Sequence, residues 1–372
     1  MRNAYLPEVV QKYRLCETCL RRQHGRQEDF EISRSKECFI CRGLTESASA
    51  AAAAVVREAR RYEFKTLAVG LSMPEGVQER EDEVRSAMKL KGSETIKLQL
   101  SAAIAAEASR TLRKKIDKVR PDLTVVVNML GLKVKSFSRP LYFYGRYTKS
   151  RGVAQKREWC QECRGRGCQK CKSTGFDRSS SSVEGLVRRK FSLVGSDNMI
   201  FTWIGSEDRE SEVLPPGRPF LVEIKNPARR ELPKRFKTRG LTGLVRVSGG
   251  RVLSGRPAKL PSFRFRTRIF ANASAPLDPA SLHELQQRFK DAMVQFDRPH
   301  DKPVLKRVTG LRAKADGPRL VIDVELDGGL PVKRFVNGDL VSPSVSEVLK
   351  AEVRCQNFDI RRVMETSGFE FA

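Results

Sequence analysis

The chain has 372 residues, 40% hydrophobic and 31% charged, with 71 Lys+Arg against 44 Asp+Glu and a formal net charge of +27. The length exceeds one ordinary core and predicts two or three domains in a globular chain. The longest small-apolar run, "ASAAAAAVV" at 48–56, is too short to span a bilayer, and no N-terminal segment has the regions of a signal peptide. A cytoplasmic location without a membrane partner is expected. So large a Lys and Arg excess repels itself unless it meets an anion. Arginine-rich runs such as "NPARRELPKRFKTRG" recur along the chain, which points to nucleic acid as that anion.

The first element is a pair of C-x-x-C motifs, "CETC" (Cys16, Cys19) and "CFIC" (Cys38, Cys41), separated by 18 residues. Two thiolates three positions apart can face one ion across a tight turn, so this spacing predicts a structural tetrahedral zinc site. Disulfides are the alternative, disfavoured in a cytosolic chain. A small zinc module over 1–45 is therefore expected. A helix follows at about 47–62, and "FKTLAVGLSMP" (64–74) reads as a strand. From Glu94 the apolar residues Ile96, Leu100, Ile104, Ala108, Leu112 and Ile116 recur every fourth position, a helical ladder. "PDLTVVVNML" and "LKVKSFSRPLYFYGRY" read as two strands joined at Gly131, making 46–150 an α/β module.

A second cysteine group, "CQECRGRGCQKC", holds Cys160, Cys163, Cys168 and Cys171, with four residues between its pairs. Gly165 and Gly167 make so tight a hairpin feasible, and zinc is again the expected ion. The basic residues between the pairs suit phosphate. Neither group carries a catalytic base, so both read as structural, and Cys355 reads as a core residue. A connector (151–185) ends in the serine-rich stretch "STGFDRSSSSVEG". Beyond it "MIFTWIG", "RPFLVEI" and "FRFRTRIF" are strand-like. A helix begins near Pro279, with Leu282, Leu285, Phe289, Met293 and Phe296 on one face. "RLVIDVEL" (319–326) alternates as a half-buried strand, and "SVSEVLKAEV" reads as a serine-capped helix. Residues 186–372 thus form a mixed-sheet α+β domain.

In this order the pieces resemble the THUMP-containing tRNA pseudouridine synthases of archaea and eukaryotes, which act on T-loop uridines. "PDLTVVVNMLGLKVKSFSRPLYFYGRYTKSRGVAQKREWCQECRGRGCQKCKSTG" (121–175), "SVEGLV", "GRPFLVEIKNPARR" and "NGDLVSPSVSEVL" carry the resemblance across most of the chain. It implies a THUMP RNA-binding domain over 46–150 and a pseudouridine synthase catalytic domain over 186–372. It also implies tRNA as partner and no organic cofactor; no obligate protein partner is inferred. In that family a G-x-E-D segment before G-R-P-F supplies the nucleophilic aspartate, and "GSED" places Asp208 there. The acidic run Glu207, Asp208, Glu210 and Glu212 would otherwise read as a solvated loop. Ser206 stands where the family has arginine, and Ser211 and Glu212 stand where it has V-R. Leu241, in "RGLTGLV", and Pro331, in "GGLPVK", occupy the places of two substrate-side tyrosines, with Lys333 kept. Arg218 is expected against RNA phosphate or Asp208, or paired with Glu223. Three readings stay open on these residues: a T-loop pseudouridine synthase, a tRNA-binding protein of that fold without turnover, and a zinc-stabilised RNA-binding protein of another role.

Overall fold

The computed structural model describes residues 12–24, 32–87, 94–178, 181–196, 198–297 and 302–371. Parts of the expected zinc module (1–11, 25–31) and connector (179–180) lie outside the described residues. The chain forms two compact units: Met1–Pro140 with Lys225–Arg230, and Leu141–Ile224 with Glu231–Ala372.

In the first unit, helices α1 (Glu17–His24), α2 (Ala48–Ala59), α3 (Val77–Ala87) and α4 (Ile96–Leu112) accompany a four-stranded sheet. Its strands are β1 (Thr66–Ser72), β2 (Lys115–Ile116), β3 (Leu123–Asn128) and β4 (Lys133–Ser138), in the order β2-β1-β3-β4. Alanine, the best helix former, fills α2 and lets Ala51, Ala52, Val55 and Ala59 be buried. The α4 ladder is buried at Ile96, Leu100, Ile104 and Ala108, as its spacing predicts. The helix starts where the Thr95 side chain accepts from Leu98 N–H and stops where Arg113 turns left-handed. Ile116, expected to extend the ladder, lies instead in β2. Buried Glu81 ties three helices together. It accepts from Ile96 N–H at 2.9 Å and pairs with Arg22 at 2.8 Å. Cys16, Cys19, Cys38 and Cys41 belong to the same core as Leu67, Val125 and Ile104. The segment Lys225–Arg230 completes this unit: Asn226 Oδ1 accepts from Ser138 N–H, and Arg230 N–H donates to Glu63.

"LKVKSFSRPLYFYGRY" is two strands rather than one. Pro140, without an N–H, ends β4, and the chain restarts in the second unit as β5 (Leu141–Lys149). There follow α5 (Val183–Phe191), β6 (Met199–Trp203), β7 (Val213–Ile224), β8 (Phe236–Arg239), β9 (Leu244–Leu253), β10 (Pro257–Lys259) and β11 (Phe263–Ala273). Then come α6 (Pro279–Arg288), β12 (Ala292–Phe296), β13 (Val304–Asp316), β14 (Arg319–Asp327), α7 (Val332–Asn337), β15 (Val341–Ser342), α8 (Val345–Leu349), β16 (Val353–Glu365) and β17 (Glu370–Phe371). Among the described residues the large sheet runs β15-β12-β13-β14-β11-β16-β7-β5-β9-β8, with β6 also on β7. Its mostly antiparallel ladder includes one parallel contact, Ile360 opposite Val213.

Asp278 caps α6 with Pro279 in its first turn, but the helix stops short of the expected face. Asp291 adopts φ 58°, and Met293 and Phe296 lie on β12, where Met293 is 52% exposed and Phe296 is buried. "AMVQF" satisfies both spacings, and the left-handed turn before it selects the strand. The alternation of β14 holds, with Leu320, Ile322, Val324 and Leu326 buried. α8 opens on a full capping box from Ser344 and Glu347 and is only five residues long.

Candidate active site and thiolate clusters

The loop 204–212 sits where one edge of β7 changes partner. β6 pairs with residues 220–224 of β7, whereas β16 meets it at Val213. The four acidic residues diverge there. Glu207 turns inward until its side chain is fully buried, and its Oε2 lies 2.5 Å from Arg218 Nη1. It also accepts from Tyr147 OH and from Gln155 Nε2 at 3.0 Å. Arg218 Nε donates to Ile204 O at 2.9 Å. Buried Arg218 is thus committed to Glu207 and the loop backbone, not to Glu223, Asp208 or an exposed phosphate site. Asp208 turns toward a cavity, and Glu210 is exposed.

A lysine that sequence reading missed holds this loop from below. Lys149, the last residue of β5, is buried, and its Nζ donates to Asp208 O (2.8 Å), Arg209 O (3.2 Å) and Ser211 O (2.5 Å). Burial pushes its ammonium from 10.5 down to about 8, against the opposing pull of Glu207, Asp208 and Glu210. Between about 8 and 10.5 the unfolded chain therefore holds a proton that the folded chain has released, and this residue's contribution to stability rises with pH. The unfolding free energy of the native chain, relative to Lys149→Met, is expected to climb by about 3 kcal/mol across that window. Urea titrations at stepped pH measure it; a flat difference would show that the carbonyls keep the ammonium charged.

Asp208 Oδ2 lies 2.9 Å from Lys333 Nζ, with both side chains part-exposed. Lys333 is in the first turn of α7, and Pro331 is the residue before that helix. Asp208, Arg218, Pro331 and Lys333 line one cavity of about 310 Å³, together with Phe265 and Phe358. That volume is at the small end of ligand sites. The structure thus brings together four of the five residues expected around the substrate. Leu241 is not among the lining residues; it is 78% exposed on the loop between β8 and β9. One of the two phenylalanines gave a signal that went unused: "FRFRTRIF" alternates, and Phe265 falls on its buried face.

The cysteines form two clusters, Cys16, Cys19, Cys38 and Cys41, and Cys160, Cys163, Cys168 and Cys171, with ligand atoms within 4.8 Å of one another. None of the eight is in a disulfide. Sulfur separations are 3.7 Å for Cys16–Cys41 and 3.8 Å for both Cys160–Cys168 and Cys163–Cys171. Four metal–sulfur bonds of about 2.3 Å in a tetrahedron require edges of about 3.8 Å, so the donor sets fit a tetrahedral ion. In the second cluster Gly167 N–H donates to Cys163 Sγ (3.2 Å) and Gly175 N–H to Cys171 Sγ (3.3 Å), contacts that favour thiolates. Either cluster could hold zinc.

A strongly basic chain that sets a carboxylate and an ammonium at the rim of a small, largely apolar cavity has the makings of an enzyme that draws in one unit of a polyanion. Comparison with known proteins gives that class its family. Residues 51–128 match the family described as "Pus10 THUMP domain, archaeal", and 142–250 match "Pus10, C-terminal". The chain is 30% identical over 371 residues to "tRNA pseudouridine synthase Pus10" of Nitrosopumilus maritimus (strain SCM1), covering 96% of each. It is 30% identical over 371 residues to the protein of that name in Cenarchaeum symbiosum (strain A), covering 96% of this chain and 91% of that one. For Methanopyrus kandleri the identity is 29% over 363 residues, with 89% and 81% covered. The chain belongs to the Pus10 family of tRNA pseudouridine synthases. No described helix is long and apolar enough to cross a membrane.

Proposed function

We propose that the chain isomerises a T-loop uridine of tRNA to pseudouridine, with Asp208 as nucleophile acting on a base flipped into the cavity. The carrying observation is Asp208 at that cavity, paired with Lys333 at 2.9 Å. The uracil must leave its stack before a side chain can reach it, and the Phe265 and Phe358 walls offer it an apolar slot. The C1′–N1 glycosidic bond breaks, the ring turns, C5 bonds to the same sugar carbon and gives up its proton, and N1 takes up a proton, so the product is an isomer of the substrate. No net oxidation occurs, so no redox cofactor is required. Lys149 and Arg218 fix the loop; Lys333 neutralises the carboxylate before substrate enters and is free to meet a phosphate or uracil oxygen afterwards. Each tetrathiolate set would hold a zinc ion in a structural role, four thiolates leaving it no open position.

The alternative, tRNA binding without turnover, is favoured by one feature: Pro331 lines the cavity where the family pattern has tyrosine. Pseudouridine mapping by carbodiimide-blocked primer extension on an unmodified tRNA transcript separates the two. The native chain is expected to produce a T-loop stop, and Asp208→Ala to lower its rate by more than about a thousandfold. tRNA affinity should hold or rise slightly, because a negative charge has left the site. Product formed at the native rate by Asp208→Ala would remove the nucleophile assignment. No product from a native chain that binds tRNA would establish the alternative.

A further inference from the structure

The second thiolate cluster carries a stacked side-chain plate that its structural role does not need. Trp159 precedes Cys160, and its backbone pairs with Phe176 in an isolated antiparallel bridge. The two rings stack, with centroids 4.6 Å apart and planes 16° from parallel. The Arg157 guanidinium carbon lies 3.6 Å from the Phe176 centroid. A group that close cannot share a ring face with the indole, so Arg157 covers the opposite face. Glu184 holds it there, accepting from Arg157 Nε at 3.1 Å. The result is a three-layer stack, Arg157, Phe176, Trp159, whose last plate is 61% exposed. Gly165 is fitted to it. Its φ is +96°, and a Cβ there would come within 3.0 Å of Trp159 Cε3.

The surroundings identify the occupant. Lys156, Arg164, Arg166 and Lys172 are exposed in the segment that carries the plate and outnumber its exposed Glu158 and Glu162, and Phe176 borders a concavity of about 490 Å³ with Lys170, Asp177 and Arg178. A protein partner favours patches poor in lysine. Aromatic plates ringed by cations are the arrangement that takes a single-stranded nucleotide, stacking its base and meeting its phosphates. A paired A-form duplex has no free base face to give. We propose that Trp159 is a stacking platform for one unpaired base of the tRNA, with Arg164, Arg166 and Lys172 on the flanking phosphates. The proposal rests on the reading of tRNA as substrate and adds a second point of grip, distinct from the base in the Asp208 cavity.

The chain has two tryptophans. Trp203 packs against Tyr147 and Phe220, so Trp203→Phe keeps a ring there and leaves Trp159 as the sole indole. Titrating Trp203→Phe with an unmodified tRNA transcript is expected to quench Trp159 emission in step with binding. In the otherwise native chain Trp159→Ala should weaken binding about five- to 150-fold, the equivalent of about 1–3 kcal/mol per stacked base. Trp159→Phe should retain most of the affinity. The quenching arm leaves position 159 intact, so a misfolded alanine variant cannot mimic the result. Binding without quenching, or Trp159→Ala within twofold of native, overturns the platform and leaves the tRNA reading standing. Failure of the native chain to bind the transcript overturns the tRNA reading, and the platform with it.

Discussion

Glu207→Leu is expected to destabilise the second unit by about 3–5 kcal/mol, although position 207 neighbours Asp208 and its own carboxylate is buried. The leucine would leave the Arg218 guanidinium, itself buried, without its carboxylate, and would strip acceptors from Tyr147 OH and Gln155 Nε2. An uncompensated buried charge costs more than the intact pair contributes. Pairing Glu207→Leu with Arg218→Met should therefore recover much of the loss, and that recovery is the sharper part of the expectation. Urea unfolding of the single and double variants measures both. If Glu207→Leu costs under about 1 kcal/mol, the pair is not the loop's anchor.

The largest effect is expected from the first thiolate cluster. Binding energy at a tetrathiolate zinc site is folding energy, about 10–16 kcal/mol in small zinc peptides. A whole domain is stable by only about 5–15 kcal/mol. Cys16, Cys19, Cys38 and Cys41 are buried in the core of the first unit, so without the zinc proposed there four packed sulfurs would repel or protonate in place. Cys38→Ser, or exhaustive chelation, should leave α1–α4 cleaved by protease at concentrations the native chain resists. Zinc released per chain, titrated with a colorimetric chelator, should approach two for the native protein and one for Cys38→Ser. Protease resistance unchanged after complete chelation would mean that the cluster folds without metal. Both tryptophans lie in the second unit, so indole emission reports separately on the second cluster through Trp159.

Local sequence specified those elements whose cues agreed. The α4 ladder over 96–108 and the alternation of "RLVIDVEL" fold as their patterns read, and the serine cap of α8 starts a helix that covers only the first half of "SVSEVLKAEV" before Val353 opens β16. The errors fall where two periods fit the same letters. Ile116 continues a four-residue spacing that Arg113 has already ended, and Met293 and Phe296 satisfy helical spacing on a strand. The cavity was half legible. Asp208, Arg218, Pro331 and Lys333 were named from motif order, and the structure sets them around one space. The partner of Arg218 could not be read, because it depends on Glu207 turning inward, a long-range choice made by Tyr147 and Gln155. Lys149 hid in plain alternation. Tyr147 and Lys149 point to the same face of β5, and a lysine in a buried register is a cue that composition conceals in a chain so rich in lysine.

The six residues Lys225–Arg230 impose an order of events on synthesis. Domains at the N-terminal end of a chain ordinarily finish folding while the rest is still being made. Here the first unit leaves the ribosome with Ser138 N–H and the Glu63 carboxylate unanswered, and their partners, Asn226 and Arg230, are translated only after β5, β6 and β7. The nascent N-terminal half lacks both of these partners until the loop 204–212 has been made. Its final closure then reports that this loop has been made.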